Sequence, residues 1–86
     1  MKRLSDEEII AGIRKRDNRV LHYIYKNAFA PVKQLILHNA GSETDAEDIF
    51  QEALIVIFKK LRAEEDFEIN AAFSTYIYSI ARLLWL

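Results

Sequence analysis

Acidic and imidazole side chains are the residues of this chain best suited to acid–base or metal chemistry. Two histidines, His22 and His38, lie far apart in the sequence, and no metal-site spacing connects them. Acids concentrate between Thr44 and Leu61, but they lack the Glu-x-x-His pairing of di-metal helical bundles. A glycine-rich phosphate loop, a nucleophile elbow and a Ser/His/Asp set are also missing. The sequence therefore predicts a binding module without catalytic activity, metal or cofactor.

Composition limits the class of protein further. The 86 residues are enough for one domain, and their 51% hydrophobic and 29% charged content is typical of a folded soluble protein. The chain has no cysteine, which excludes disulfides and cysteine-ligated zinc. It also has no apolar run near the ~20 residues of a membrane span, and no signal peptide. We expect a single cytoplasmic domain over residues 1–86 that does not bind membranes.

The scarcity of helix-breaking residues predicts an all-α fold, a compact bundle of about four helices. With two glycines, one proline and no useful strand-like alternation, few breaks are available. The first helix is predicted to begin at a capping box formed by Ser5 and Glu8, and to end at the basic run 14–16.

The second helix is predicted to be long, starting at the N-cap Asp17 and ending near Gly41. Its apolar period continues across Pro31, which favours one helix kinked near that proline. Two helices joined at Ala30 remain the alternative. Gly41 is predicted to cap the end in a left-handed conformation. The apolar stripe of this helix comprises Leu21, Ile24, Tyr25, Ala28, Phe29, Val32, Leu35 and Ile36.

The third helix, capped by Thr44 or Asp45, has one ordinary face and one unusual face. The ordinary face is apolar and predicted to be core: Ala46, Phe50, Ala53, Leu54, Ile57 and Leu61. The opposite face mixes acids with apolar side chains: Asp45, Asp48, Glu52, Ile55 and Lys59, with Val56 beside them. Because Asp48 and Glu52 repel each other at i,i+4, this face gains little from being a simple helix surface. It is either an ordinary solvated face or a partner-binding face.

A loop is predicted over residues 62–73, followed by a last helix. The stripe of that helix is Phe73, Ile77, Ile80 and Leu84, with Tyr76, Tyr78, Arg82 and Trp85 partly off it. Aromatic side chains interleaved with arginine can stack bases, although tyrosines at the rim of a small core often only pack there. The chain ends on "LLWL", where Leu, Trp and Leu side chains are predicted to be exposed at a helix end, which suggests a piece of a longer polypeptide.

The run "DAEDIFQEALIVIFKKL", followed by a loop and "FSTYIYSIAR", resembles region 2 of the bacterial sigma-70 superfamily of RNA polymerase sigma factors. The extracytoplasmic-function (ECF) group is the most similar. That group shows an Asp-Ala-Glu-Asp-apolar-apolar-Gln-Glu run and then an aromatic run ending in Ile-Ala-Arg. The segment "YKNAFAPVKQLILHNAGSETDAED", with its proline, also resembles the family. The likeness extends over essentially the whole chain.

The resemblance implies a transcription initiation factor domain. Such domains bind the clamp helices of the largest RNA polymerase subunit and open promoter DNA at the minus-ten element. The residues matching the docking motif are Asp48, Gln51 and Glu52, and Ile55 fits as their apolar neighbour one turn on. An anti-sigma factor is a possible further partner. The family's C-terminal helix-turn-helix domain has no counterpart in these residues.

The resemblance also implies that the loop and the last helix capture a flipped base and hold the melted minus-ten strand. Phe67 and Asn70 are the candidate base contacts of the loop, and Tyr76 replaces the family's usual tryptophan. The basic residues expected to meet phosphates are Lys59, Lys60, Arg62 and Arg82. The alternative function is a helical protein-interaction or regulatory module that does not bind DNA.

Overall fold

Four helices form the fold in the computed structural model, which describes residues 3–64 and 72–86. They are α1 (Asp6–Arg14), α2 (Asn18–His38), α3 (Glu43–Ala63) and α4 (Phe73–Trp85). Within those ranges no residue forms a strand. The prediction of an all-α four-helix bundle is therefore confirmed. The predicted base contacts Phe67 and Asn70 lie outside the described residues.

Side-chain caps start the first three helices. The Ser5 hydroxyl accepts from the Glu8 amide at 3.2 Å, and Glu8 accepts from the Ser5 amide, as predicted. Asp17 caps α2, also as predicted. The prediction for α3 was wrong, because its cap is Ser42. Ser42 and Asp45 satisfy each other's backbone amides at 3.1 and 2.8 Å, so α3 begins ahead of the predicted caps.

Helix α2 is continuous through Pro31, so the alternative of two helices joined at Ala30 is excluded. A proline at this position removes the helical donor for the carbonyl of Asn27, and Asn27 is an exposed residue. At the end of α2 the prediction for Gly41 was wrong. The left-handed residue is Ala40, with φ 68°, and Gly41 has no positive φ. A side chain at Gly41 would instead collide with Ile36 and Trp85.

The core lies where α2, α3 and α4 all pack against one another, with α1 covering α2 and α3. At its centre Phe50 of α3 is 1% exposed. The Phe50 ring meets the Phe29 ring edge-on at a centroid distance of 5.4 Å, and the ring of Tyr25 at 5.7 Å. The fully buried residues of α3 are Ala46, Phe50, Ala53, Ile57 and Leu61, which confirms its predicted core face except for the half-buried Leu54.

Three other burial predictions and one helix boundary need correction. Tyr25, predicted on the apolar stripe of α2, is 44% exposed because its ring lies over Phe29 at the rim of the core. Val56, predicted on the unusual face, is half-buried and packs against the core. Leu84 is exposed. The buried side of α4 follows a spacing of four residues through Ile77, Ala81 and Trp85, and Leu84 lies off that side. Helix α3 also continues to Ala63, so Arg62 is helical and not in a loop.

Trp85 holds the end of α4 against the turn between α2 and α3. Its indole Nε1 donates to the carbonyl oxygen of Asn39 at 3.0 Å, and its ring packs against the core. The close approach of the indole explains the glycine at position 41. Of the final residues predicted to be exposed, Trp85 is half-buried while Leu83 and Leu86 are exposed.

Candidate functional site

One side of α3 carries the four residues predicted to bind a protein partner. Successive helical residues are about 100° apart, so Asp48, Gln51, Glu52 and Ile55 occupy an arc of about 100°. All four side chains are exposed, while the opposite side of α3 is the core. We call these four residues the α3 face. The helix fixes their relative positions, because its other side is anchored by buried residues.

The composition of the α3 face differs from that of a plain solvated surface. Among residues 3–64 and 72–86, no lysine, arginine or histidine forms an ion pair with Asp48 or Glu52. Ile55 lies further along the same side of α3 towards its C-terminal end, and this side chain is 52% exposed. An apolar side chain surrounded by charged ones is typical of the anatomy of protein interfaces, where an apolar centre has a polar rim. The arrangement can bind a basic surface that also offers an apolar contact.

The cations predicted to meet DNA do not all lie together. Lys59 and Arg62 follow Ile55 along the same side of α3, at spacings of four and three residues, and both are exposed. Lys60 is two residues from Arg62, which places it about 160° away around the helix. The α3 face is therefore continuous with a basic end formed by Lys59 and Arg62, whereas Lys60 points elsewhere.

Arg14 secures the C-terminal end of α3. Its Nη1 donates to the carbonyl oxygen of Leu61, and its Nη2 donates to that of Glu64 at 3.5 Å. The last carbonyls of a helix lack helical donors, and a guanidinium there also favours the negative end of the dipole. Sequence reasoning placed Arg14 at the end of its own helix and missed this contact across 47 residues, which only the packing of α1 on α3 creates.

Two further guanidinium groups lie close to the Phe58 ring at this end of the molecule. The Arg16 guanidinium carbon lies 4.5 Å from the centroid of the Phe58 ring, and that of Arg62 lies 5.7 Å from it. Both distances are within the range of cation–π attraction. Sequence reasoning did not select Arg16 as a functional residue. The only local signal was its place in a run of three basic residues.

Arg16 also has an unusual backbone. Its φ is 54°, in the left-handed region that costs most residues other than glycine roughly 1–2 kcal/mol. The turn between α1 and α2 requires this conformation, since the Arg16 amide donates to Ile13 O and the Asp17 amide donates to Gly12 O. An arginine therefore stands where glycine would be the easier residue.

On α4 the predicted DNA contacts occupy different sides. Tyr76 is half-buried, and burial together with the nearby negative charge of Glu64 raises the pKa of its hydroxyl. The phenol is therefore neutral near pH 7, and its helix packs against α3. Arg82 is exposed and lies about 120° around α4 from Tyr76. Tyr76 and Arg82 do not form one patch.

Neither metal binding nor a membrane span is indicated for the described ranges. Residues 3–64 and 72–86 contain no group of three or more His, Cys, Asp or Glu side chains arranged to hold a metal ion. No helix in the same part of the chain is long and apolar enough to cross a membrane. The chemistry that the arrangement supports is binding through charge and apolar contact.

Comparison with known proteins adds a family to this geometry. The family model described as Sigma-70 region 2 matches residues 14–86. That match includes the α3 face, its basic end and the whole of α4, and it begins at Arg14, the residue that secures α3. No curated protein and no solved structure gives a significant match.

Proposed function

The chain belongs to the sigma-70 region 2 family, and we propose that it acts as a transcription initiation domain that binds the clamp helices of RNA polymerase and melts the minus-ten element. Members of this family are non-enzymatic transcription factor domains that act with RNA polymerase core and promoter DNA. The proposal assigns the two activities to two surfaces, the α3 face and the region around the end of α3 and the start of α4.

The observation that carries the polymerase assignment is the α3 face itself. Asp48, Gln51 and Glu52 resemble the family's docking motif and are exposed on one side of a helix whose other side is buried in the core. Ile55 supplies an apolar contact in the same arc. A basic clamp helix would pair with the two acids and cover Ile55, which relieves the like-charge repulsion between Asp48 and Glu52.

Promoter binding is assigned to the basic end of α3 and to α4. Lys59 and Arg62 offer charge for phosphates, and Arg82 and Lys60 can add further contacts as the strand passes around the helices. Tyr76 is neutral and half-buried beside this region, where its ring can support a base. Phe67 and Asn70 remain candidate base contacts of the segment between the two helices.

The finer classification is also part of the proposal. The pattern of the third and fourth helices favours the ECF group, whose members act on promoters in the bacterial cytoplasm. An anti-sigma factor that covered the α3 face would compete directly with the polymerase. A helical regulatory module without DNA function is the alternative, and binding to the clamp helices distinguishes the two.

A direct test measures binding of the chain to the isolated clamp coiled coil by calorimetry. We expect Glu52→Arg to weaken binding by about 10- to 100-fold, because it replaces an attraction by a repulsion in the α3 face. Gln51→Ala should weaken binding by a smaller factor. Both side chains are exposed, so the thermal midpoint of unfolding should change little.

Glu7→Arg is the matched control for Glu52→Arg. Glu7 is exposed and carries the same charge, but it lies on α1, outside the α3 face. The control should retain most of the affinity of the parent chain. Equal losses for both variants, or no binding by the parent, would contradict the assignment of the dock.

A further inference from the structure

Arg16 combines a large charged side chain with a backbone conformation that favours glycine. Its φ is 54°, and in the described residues the only other residue with positive φ is Ala40. Strain of this kind persists where the surroundings or a function require the residue. The turn requires the backbone conformation, but glycine would satisfy that requirement with less strain. The side chain of Arg16 therefore needs a separate explanation.

The Phe58 ring lies within cation–π range of the guanidinium groups of both Arg16 and Arg62. The two guanidinium carbons lie 4.5 and 5.7 Å from the centroid of this one ring. Phe58 is half-buried on α3 and packs against the core, so the platform is fixed. A guanidinium held near a ring by cation–π attraction keeps N–H groups along its edge that can donate to a ligand's oxygens.

Arg16 and Arg62 carry the same charge, and the described residues supply no carboxylate partner for either of them. Arg14 lies at the same end of α3 but is occupied with the carbonyls of Leu61 and Glu64. Two guanidinium groups assembled on one ring without an acid are suited to an anion. A phosphodiester accepts two parallel hydrogen bonds from a guanidinium edge.

We propose that Arg16 and Arg62, positioned by Phe58, form a phosphate-binding pair that holds the backbone of single-stranded promoter DNA. The inference rests on the proposed function and extends its DNA surface from α3 to the turn between α1 and α2. It predicts that the strand passes the basic end of α3 on the side where α1 packs. Lys59 continues from that pair, because it lies three residues before Arg62 on the same side of α3.

The test measures binding of the whole chain to a fluorescein-labelled single-stranded deoxyoligonucleotide of mixed sequence, by anisotropy over a range of salt concentrations. Arg16→Gly should weaken binding about tenfold at low salt and reduce the slope of log K against log salt by about 0.7, the value for one contact to a single strand. The same variant should keep or raise the thermal midpoint of unfolding, because it relieves the backbone strain.

Two control variants separate backbone and charge from the contact itself. Ala40→Gly relieves the other positive φ, 68°, without removing charge, and it should leave DNA binding unchanged. Arg19→Ala removes the same charge close by in the sequence, from a side chain that is 93% exposed and paired with Asp17. It should weaken binding by less than about twofold, because salt screens an exposed charge that does not contact the strand.

A variant that keeps the charge provides a second measurement. Arg16→Lys retains the cation but loses the planar fork of donors, so it should keep the salt slope and lose part of the affinity. Equal effects of Arg16→Gly and Arg19→Ala would overturn the proposal, and so would unchanged DNA binding by Arg16→Gly.

Binding to the clamp coiled coil, measured on the same proteins, separates this inference from the proposed function. We expect Arg16→Gly to bind the coiled coil as the parent does. If Arg16→Gly loses clamp binding and keeps DNA binding, the pair belongs to the protein dock and the inference is wrong while the proposed function stands. If the parent fails to bind the clamp, the proposed function is wrong whatever the DNA result.

Discussion

The two ends of α3 differ in how much of their charge the fold itself explains. At the N-terminal end, Asp45 completes the capping box with Ser42 and suits the positive end of the dipole. The dipole effect falls off within the first turn, so it does not explain Asp48 or Glu52 further along. These two acids have no structural partner in the described part of the chain.

At the C-terminal end, the cations stabilise the fold and also have a proposed role in binding. Arg14 donates to the last carbonyls, and Arg62 both favours the negative end of the dipole and approaches the Phe58 ring. Charge on a helix therefore points most directly to a partner where the helix gains nothing from it. The charges of the α3 face therefore indicate a binding partner more directly than the cations at the C-terminal end of α3 do.

The largest effect is expected from a change in the core, because the same packing holds both ends of α3 in place. Phe50→Ala removes a ring that is 1% exposed and touches the rings of Phe29 and Tyr25. It should lower the free energy of unfolding by about 3–5 kcal/mol, a large part of the stability of a domain of this size. Urea unfolding followed by circular dichroism measures it, and a loss below about 1 kcal/mol would show that Phe50 is not central.

A smaller loss is expected when only the C-terminal end is weakened. Arg14→Ala leaves the carbonyls of Leu61 and Glu64 without their donor and should cost about 1–3 kcal/mol in the free energy of unfolding. Hydrogen exchange should accelerate in the last turn of α3 and stay unchanged around Asp48. The control is Lys15→Ala, which removes a neighbouring exposed charge. Equal stability of the two variants would exclude the securing role of Arg14.

A change confined to the α3 face should affect binding and leave the fold intact. Ile55→Ser removes an apolar side chain that is 52% exposed, so unfolding should change by less than about 0.5 kcal/mol. Affinity for the clamp coiled coil should fall about 5- to 10-fold, because the apolar centre of the interface is lost. Leu83→Ser, at an even more exposed leucine of α4, is the control and should retain the affinity.

The smallest effect concerns the turn that presents Arg16. Hydrogen bonds from the backbone amide and the side chain of Arg19 lower the pKa of the Asp17 carboxyl. A carboxyl with a lowered pKa in the folded state adds stability above its unfolded pKa of about 3.9, and this is lost as the pH falls through the folded value. The thermal midpoint should therefore drop less in Asp17→Asn than in the parent below about pH 4. Identical acid profiles would contradict the capping interaction.

Helix types and the core face of α3 could be predicted because they depend on local periodicity and capping. Ser5, Asp17 and the buried stripe from Ala46 to Leu61 follow from side-chain chemistry within a few residues. The start of α3 was misplaced because Ser42, Thr44 and Asp45 can all cap a helix, and only the reciprocal bonds of Ser42 and Asp45 decide among them.

The remaining features depend on contacts between distant parts of the chain. Trp85 meets Asn39 across 46 residues, and this explains both the half-buried indole and the glycine at position 41. The Arg16 and Arg62 pair exists only because the turn after α1 packs on Phe58. The residues of the α3 face could be selected from the sequence by their motif, since a surface on a single helix needs no long-range contact to form.

The most direct test of the central claim is to map the surface that the clamp coiled coil covers. Backbone amide chemical shifts of the labelled chain, recorded with and without the unlabelled coiled coil, give this footprint residue by residue. We predict the largest changes between Asp48 and Ile55, with small changes at His22 and Lys26 on the exposed side of α2. A footprint centred on α2 that left Asp48 to Ile55 unchanged would contradict the account.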